Sequence, residues 1–432
     1  MAVALVLGAL AWLAPAGNAT RSAGAHEASS ALLGGVSITG LGEGSPLAQA
    51  DRDMSWASRL NAKVVRVDLP WSVMEPRGPN QIDPHALAYT DRLMSDASAK
   101  GIRVIMMVES TPCWASSAPA TVLRRCGARQ SVAVNRWPPS NPADYAAFVA
   151  YLAARYGTQL AAIEVWNEPD QANQQYFAGP EKAKRYAAIL RAAYPAIKQA
   201  NPNITVLGGS LVGSSGVFLR ALYAAGIKGY YDGLSVHFYD LTLASLRTIH
   251  AVQLANGDAT PLWLDEFGWS SCWPRYMIQQ EQACVTKQLQ ATNVSDLVHA
   301  LARVPYVASA VVYKLQGGAS EDFGVLSAGG SRKPAFAALA AAFASPLSSA
   351  GHVSLSLRSA GASVVASGSG PPGDYVRLEA FQGATLRYWA VFTLDRFDRY
   401  SVTLPSLLGT NGLRIRVYQL WSGAARAAQR KI

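Results

Sequence analysis

The chain is short of charge, of cysteine and of long apolar runs, and each shortage removes a class of protein. Only 15% of its 432 residues are charged and 50% are hydrophobic. That balance fills a large core and excludes a disordered or fibrous chain. The apolar run at residues 2–14 is too short to span a bilayer comfortably. It has signal-peptide length but lacks the Lys/Arg-rich segment that usually precedes one. Small-residue cleavage patterns follow at Gly17-Asn18-Ala19 and Ala23-Gly24-Ala25. Residues 1–25 therefore read as a signal peptide and 26–34 as a linker, the alternative being an uncleaved membrane anchor. The four cysteines show no C-x-x-C spacing and have no His nearby at ligand spacing, which argues against a zinc site. They permit three connectivities. Cys113–Cys126 and Cys272–Cys284 are the expected pairs, because local pairs close short loops and need no long-range coincidence. Both features place the chain outside the cytoplasm, as a secreted, periplasmic or cell-surface protein.

No dense basic run and no nucleic-acid motif accompanies the net charge of +10. Scattered Lys and Arg suit a solubilising surface, with association to an anionic glycan or cell surface as the other reading. A monomer is expected. No Gly-rich phosphate fingerprint follows the first strand, which disfavours an open doubly wound sheet. Nothing implies a cofactor or metal.

What is present is alternation. Strand patterns at 35–38, 64–68, 104–108, 161–166, 204–207, 232–237, 261–266 and 307–315 interleave with helical patterns at 46–60, 84–99, 142–156, 180–200, 215–225, 241–255, within 278–303, and at 333–344. Asn141 followed by Pro142 marks a helix start, and Gly157 its end. Eight strand–helix units over 35–345 predict a (β/α)8 TIM barrel. From about 346 to 432 the period falls to two, as in Val353-Ser354-Leu355-Ser356-Leu357, with further strands expected at 376–380, 386–394, 400–404 and 414–420. Gly368-Ser369-Gly370-Pro371-Pro372-Gly373 reads as punctuation. This predicts a small C-terminal β-sandwich, expected to serve a structural rather than a glycan-binding role.

In such a barrel, polar residues at the C-terminal ends of strands carry the chemistry. The ends offer Arg66 and Asp68, then Glu109, Asn167 and Glu168, His237 and Tyr239, Asp265 and Glu266, and last Tyr313 and Lys314. Pro169 ends the strand after Glu168 and biases that residue towards an extended or turn conformation. Glu168 and Glu266 fall on the fourth and seventh strands and would face each other across the mouth. Two such carboxylates form the apparatus of glycoside hydrolysis, one acting as proton donor and the other ionised. Glu164 and Asp265 are expected to point away as structural groups. Trp71, Trp114, Trp166 and Trp269 could stack on sugar faces, whereas Trp263, mid-strand, reads as core.

Trp166-Asn167-Glu168-Pro169 followed by Glu266-Phe267-Gly268-Trp269 resembles glycoside hydrolase clan A. Arg66-Val67-Asp68-Leu69-Pro70-Trp71, the later Ser72-Val73-Met74-Glu75-Pro76, and Thr111-Pro112-Cys113-Trp114-Ala115 are similar to family 39 and related exopolysaccharide-acting endoglycosidases. Phe323-Gly324-Val325-Leu326 and Arg332-Lys333-Pro334-Ala335-Phe336 resemble the closing segment of those barrels. The resemblance implies a retaining glycosidase that cleaves β-linked polysaccharide or oligosaccharide. Glu168 would be acid/base, Glu266 nucleophile, and Asn167 a partner of the sugar 2-hydroxyl. Arg66 would keep Glu266 ionised, while Tyr239 with His237 would orient it. Partial burial and the Glu266 charge would keep Glu168 protonated. The carboxyl groups would stand roughly 5–5.5 Å apart. Many clan members carry Trp where Tyr313-Lys314 stands, so Lys314 could meet an acidic sugar or point to solvent. Glu109 could bind a sugar hydroxyl or be an exposed loop carboxylate. Transglycosylation by the same pair, or a non-catalytic carbohydrate-binding surface protein, are the alternative functions.

Overall fold

The computed structural model describes residues 32–432 except 128–130, 241–242, 273–283, 319–321, 347–352, 362, 371–374, 394–398, 406–411, 420–427 and 432. The expected signal peptide and residues 26–31 of the expected linker lie outside the described residues, while the linker's last two positions, Leu33 and Gly34, belong to the first strand.

Eight parallel strands close on themselves: β1 (Leu33–Ser37), β2 (Val64–Pro70), β3 (Arg103–Glu109), β4 (Leu160–Val165), β5 (Thr205–Leu211), β6 (Gly233–Phe238), β7 (Leu262–Phe267) and β8 (Val307–Val312). Gly35 of β1 lies opposite both Val64 of β2 and Val311 of β8, so the sheet has no edge. Each strand is followed by a helix: α1 (Leu47–Arg59), α2 (Pro84–Ala99), α3 (Pro142–Tyr156), α4 (Lys182–Ala200), α5 (Val217–Ala224), α6 (Ala244–Ala255), α7 (Lys287–Leu301) and α8 (Pro334–Ala344). This is the expected (β/α)8 barrel. Two helix starts show why the chain turns where it does. Asn141 Oδ1 accepts from Ala143 N at 3.2 Å, and Asp83 accepts from His85 N and Ala86 N at 3.0 Å; proline follows each cap. The cap satisfies donors that the first helical turn leaves open, and proline has no amide to waste there.

The barrel interior is layered. Val64, Ile105, Ala162, Leu207, Trp263 and Val311 form an apolar plug, so Trp263 is core as expected. Two residues further along the same inward faces stand Arg66, Glu164 and Asp265, all buried. Strand alternation thus lays a charged layer on an apolar one and carries the charge towards the mouth.

Of the irregularities in the ladder, those in β7 and β5 bear on the site. In β7, Leu264 pairs with Val236 and Glu266 with His237, leaving one extra residue between them. The other flank shows the same excess, with Leu264 opposite Ala310 and Phe267 opposite Val312. In β5, Gly208 pairs with Leu234 and Leu211 with Val236. There Gly209 and Ser210 take φ of 113° and 51°. A Cβ on Gly209 would lie 2.7 Å from the Ser235 carbonyl oxygen, so glycine is required. Such bulges re-aim side chains.

The C-terminal part holds β9 (Ser356–Ala360), β10 (Ser363–Ser369), β11 (Tyr375–Gln382), β12 (Thr385–Thr393), β13 (Arg399–Thr403), β14 (Leu413–Gln419) and β15 (Ala428–Lys431). They form a three-stranded sheet, β13-β10-β9, and a four-stranded sheet, β12-β11-β14-β15. Val364 and Ala366 of the first share a core with Val376, Leu378, Ala380, Ile415 and Val417 of the second. This is the expected sandwich. Period-two reading missed β10 and β15. It took Gly368 for punctuation, yet Gly368 pairs with Tyr400 inside the sheet. A Cβ there would lie 2.1 Å from the Ser354 carbonyl oxygen, so the glycine serves close packing.

Candidate active site

Arg66 organises the site. Its side chain is 2% exposed, and burying an unpaired guanidinium would be costly. Nη1 lies 2.8 Å from Glu266 Oε1 and 3.3 Å from Asp68 Oδ1. Nη2 donates to Glu164 Oε1 and Asn167 Oδ1, both at 2.8 Å. Nε lies 3.1 Å from Glu164 Oε2 and 3.3 Å from Asp265 Oδ2. The planar fork thus ties β2 to β4 and β7.

His237 is the second cation. Its Nδ1 stands 2.7 Å from Glu168 Oε1 and 3.3 Å from Glu266 Oε2. Its Nε2 stands 3.1 Å from Ser210 Oγ and 3.4 Å from Asp265 Oδ2. Burial alone would lower its pKa, but the Glu266 and Asp265 charges and its hydrogen bonds hold it well above the ordinary histidine value. Five carboxylates (Asp68, Glu164, Glu168, Asp265 and Glu266) therefore surround two cations.

The two glutamates differ in their holders. Glu266 accepts from Arg66 and, at 2.9 Å, from the Tyr239 hydroxyl. Burial raises its pKa against the opposing charges of His237 and Arg66. Glu168 accepts from Gln171 Nε2 at 2.7 Å as well as facing His237. Burial acts to raise the Glu168 pKa, but the His237 hydrogen bond and charge prevail and lower it. The direction runs against the expectation that burial and the Glu266 charge keep Glu168 protonated, because the His237 hydrogen bond and charge oppose them.

The local backbone explains the aim of Glu168. β4 stops at Val165, and Trp166 and Glu168 adopt φ of 70° and 42°. These left-handed residues turn the chain so that Glu168 faces inward at the mouth. Glu164 does not point away. It lies two residues beyond Ala162 and shares that residue's inward face. Its pKa is raised to about 8, by burial first and then by the Asp265 charge, against Arg66. Asp265 also points in, as the extra residue of the β7 bulge. Burial works against its ionised form, yet His237 and Arg66 hold its pKa well below the ordinary value.

The remaining predicted residues separate. Trp71 and Trp269 are 0% and 2% exposed and present no ring face to a sugar. Trp71 instead donates to Glu75 Oε2 at 2.7 Å and stacks on Phe148. Trp166 is also fully buried, its indole donating to the Tyr176 carbonyl at 3.0 Å. Trp114 is half-buried and edge-on to Trp71. Glu109, half-buried at the end of β3, lies opposite Pro70 of β2. Burial and the Asp68 charge push its carboxyl well above the usual range. Tyr313 and Lys314 lie beyond the end of β8, both half-buried, with Lys314 Nζ 5.3 Å from the Tyr313 ring centre. Sequence reading missed Ser210, Gln171 and Tyr176. Ser210 Oγ donates to Glu164 Oε1 at 2.6 Å. The Tyr176 hydroxyl is held above the ordinary phenol range by burial and by the Glu168 and Glu266 charges. Only Ser210 left a trace, as a polar residue after two glycines within a strand.

Two triads, Glu164/His237/Asp265 and Glu168/His237/Glu266, have ligand atoms within 4.8 Å of one another, close enough to hold a metal ion. Arg66 contacts acidic members of both, placing a fixed positive charge beside each. Both cysteine pairs expected from spacing are present, Cys113–Cys126 and Cys272–Cys284.

A closed parallel barrel with paired glutamates at the ends of β4 and β7 has the layout of a clan A glycosidase. The chain belongs to the cellulase family, glycosyl hydrolase family 5, which matches residues 33–298. No curated protein matches it. Among solved structures it is similar to a family 39 glycoside hydrolase from the gut symbiont Bacteroides cellulosilyticus WH2, with TM-score 0.54 and 18% identity over 88% of this chain and 80% of that one. A family 39 β-xylosidase from Caulobacter crescentus gives TM-score 0.54 and 17% identity over 81% and 82%. A family 5 enzyme from Streptomyces cattleya, in complex with GlcNAc, gives 0.51 and 18% over 74% and 81%. At these identities the structural likeness concerns the fold.

Proposed function

We propose that this glycosidase cleaves β-linked polysaccharide or oligosaccharide with retention of configuration, Glu266 being the nucleophile and Glu168 the acid/base. One observation carries the reading. A carboxylate oxygen of Glu168 and one of Glu266 lie within 4.8 Å of each other, with a ring nitrogen of His237 between them in reach of both. That spacing suits direct attack and leaves little room for the water that inversion requires.

In the first step a Glu266 oxygen bonds to the anomeric carbon as the glycosidic C–O bond breaks. The departing oxygen takes a proton from Glu168. That proton is held in the Glu168–His237 hydrogen bond, and transfer from Nδ1 to Oε1 across 2.7 Å arms the acid without drawing on solvent. In the second step Glu168 removes a proton from water, the oxygen attacks the anomeric carbon, and Glu266 leaves as a carboxylate. Arg66 and the Tyr239 hydroxyl receive the returning charge. Asn167 offers its amide nitrogen to the sugar, since its oxygen is occupied by Arg66. Export is supported by the two disulfides. Among the described residues no helix is long and apolar enough to cross a membrane.

Glu168→Ala is expected to lower kcat/KM by about 10²–10⁴ on any substrate the protein hydrolyses, and Glu266→Ala by at least as much. Proton NMR of the first sugar released should show the substrate's own anomer. Unchanged hydrolysis in either variant, or an inverted first product, would overturn the assignment.

A further inference from the structure

The outer face of the four-stranded C-terminal sheet is built unlike the rest of the surface. Along β11, Val376, Leu378 and Ala380 point into the sandwich core, so Arg377, Glu379 and Phe381 point out. Strand register sets Tyr418, Arg416 and Arg414 of β14 beside those three residues, and places Trp389 of β12 next to Glu379 and Lys431 of β15 next to Arg414. The guanidinium groups lie on rings. Arg377 is 4.8 Å from the Trp389 centroid, and Arg414 and Arg416 are 4.5 and 4.8 Å from that of Phe381. Glu379 is the one acid in this set. It is buried, accepting from Arg377 Nε at 2.9 Å, from Tyr418 Oη at 3.0 Å and from Arg416 Nε. Trp389 remains 56% exposed.

These contacts fix the arginines before any ligand arrives. A guanidinium stacked on a ring can still donate from its edge, as Arg377 and Arg416 do through Nε to Glu379 and Arg414 through Nη1 to Gln429 Oε1 at 3.5 Å, while it loses the rotamer freedom that makes most surface arginines poor anchors. Four cations against one acid give the face a surplus of positive charge. The imbalance extends beyond it: residues 346–432 carry ten Lys and Arg against four Asp and Glu, most of the chain's net +10. A flat exposed indole beside fixed forked donors suits a pyranose ring that bears a carboxylate, with the C–H face on Trp389 and the acid on an arginine fork.

We propose that this face binds an anionic, carboxylated polysaccharide, independently of the catalytic mouth. The structural role expected for the sandwich would then be incomplete. Carbohydrate is favoured over nucleic acid because the barrel belongs to a glycosidase family and because the fork matches a carboxylate as well as a phosphate.

Polygalacturonate, dextran and a DNA duplex serve as probes for the full-length protein, with binding measured by calorimetry at low and high salt. The parent should bind polygalacturonate in a salt-sensitive way and dextran not at all. Replacing both arginines, Arg414→Gln with Arg416→Gln, should weaken polygalacturonate binding by about tenfold or more. Trp389→Ala, at an exposed position, should weaken it by about threefold or more with an unchanged thermal midpoint. Absence of polygalacturonate binding by the parent, equal binding by the folded Trp389→Ala variant, or tighter binding to the DNA duplex would each overturn the proposal.

Discussion

The barrel mouth and the outer sheet face are built from the same residue types with opposite majorities. At the mouth five carboxylates enclose two cations, Arg66 and His237. On the sheet Arg377, Arg414, Arg416 and Lys431 share a face with Glu379 as its one acid, Arg377 and Arg416 bonding to it directly. In each region the minority charge is buried and bonded to several of the majority. Burial makes the minority member an organiser, because it must be satisfied from every side. The mouth adds a proton problem that the sheet lacks. Burial and the excess of acids over cations favour protonated carboxyls, and the Glu164 and Glu109 pKa values are raised accordingly. A site that must move protons gains from stored ones; a surface that only binds does not.

Removing each organiser tests this difference. Arg66→Met should have the largest effect, about 3–5 kcal/mol of lost stability, because it strands buried carboxylates. Urea unfolding would measure it. A variant as stable as the parent would mean that the acids do not depend on the arginine.

Glu164→Gln should act through pH. The folded-state pKa of Glu164, raised to about 8, exceeds the ordinary 4.5, so between those values the folded chain binds more protons than the unfolded one. Parent stability therefore falls as pH rises through that window, and glutamine should flatten the decline by up to about 1.4 kcal/mol per pH unit. Melting curves across the window would show it; parallel curves for parent and variant would exclude a proton on Glu164.

Glu379→Gln should be mildest, about 1 kcal/mol at neutral pH, since Arg377 and Arg416 are partly exposed. Burial opposes the ionised form of Glu379, but its Arg416 and Tyr418 contacts prevail and lower its pKa. Its contribution is therefore present above the ordinary carboxylate value and lost on acidification, the opposite slope to Glu164. Acid titration followed by circular dichroism should show the parent losing this increment below about pH 4.5 while the variant does not.

The strand-end glutamates were legible because a carboxylate after an apolar run is rare; Gly268 follows directly on β7, whereas β4 stops at Val165, before the Pro169 expected to end it. Arg66 and Tyr239 followed from the same counting. Asp265 and Ser210 did not, because period-two reading assumes a regular strand and both sit on bulges. Glu164 was misread although it shares the inward face of Ala162, two residues before it. The tryptophans failed for another reason. Ring type says nothing about which side of a loop faces solvent, and Trp71 and Trp269 turned to the core. The sheet face was hidden because Arg377, Arg414 and Arg416 are scattered in sequence and meet only through strand pairing.

The bulge in β7 has a genetic consequence. Without the extra residue, Leu264 would still face Val236 and Glu266 would still face His237, and the excess over β8 between Leu264 and Phe267 would vanish. Asp265 and Glu266, though consecutive, are therefore separable by the loss of a single codon. The carboxylate proposed to react keeps its ladder partner either way, whereas the bulge is what gives the strand room for a second inward acid beside it. A lineage could gain or lose that counter-charge in one event and keep the rest of the site in place.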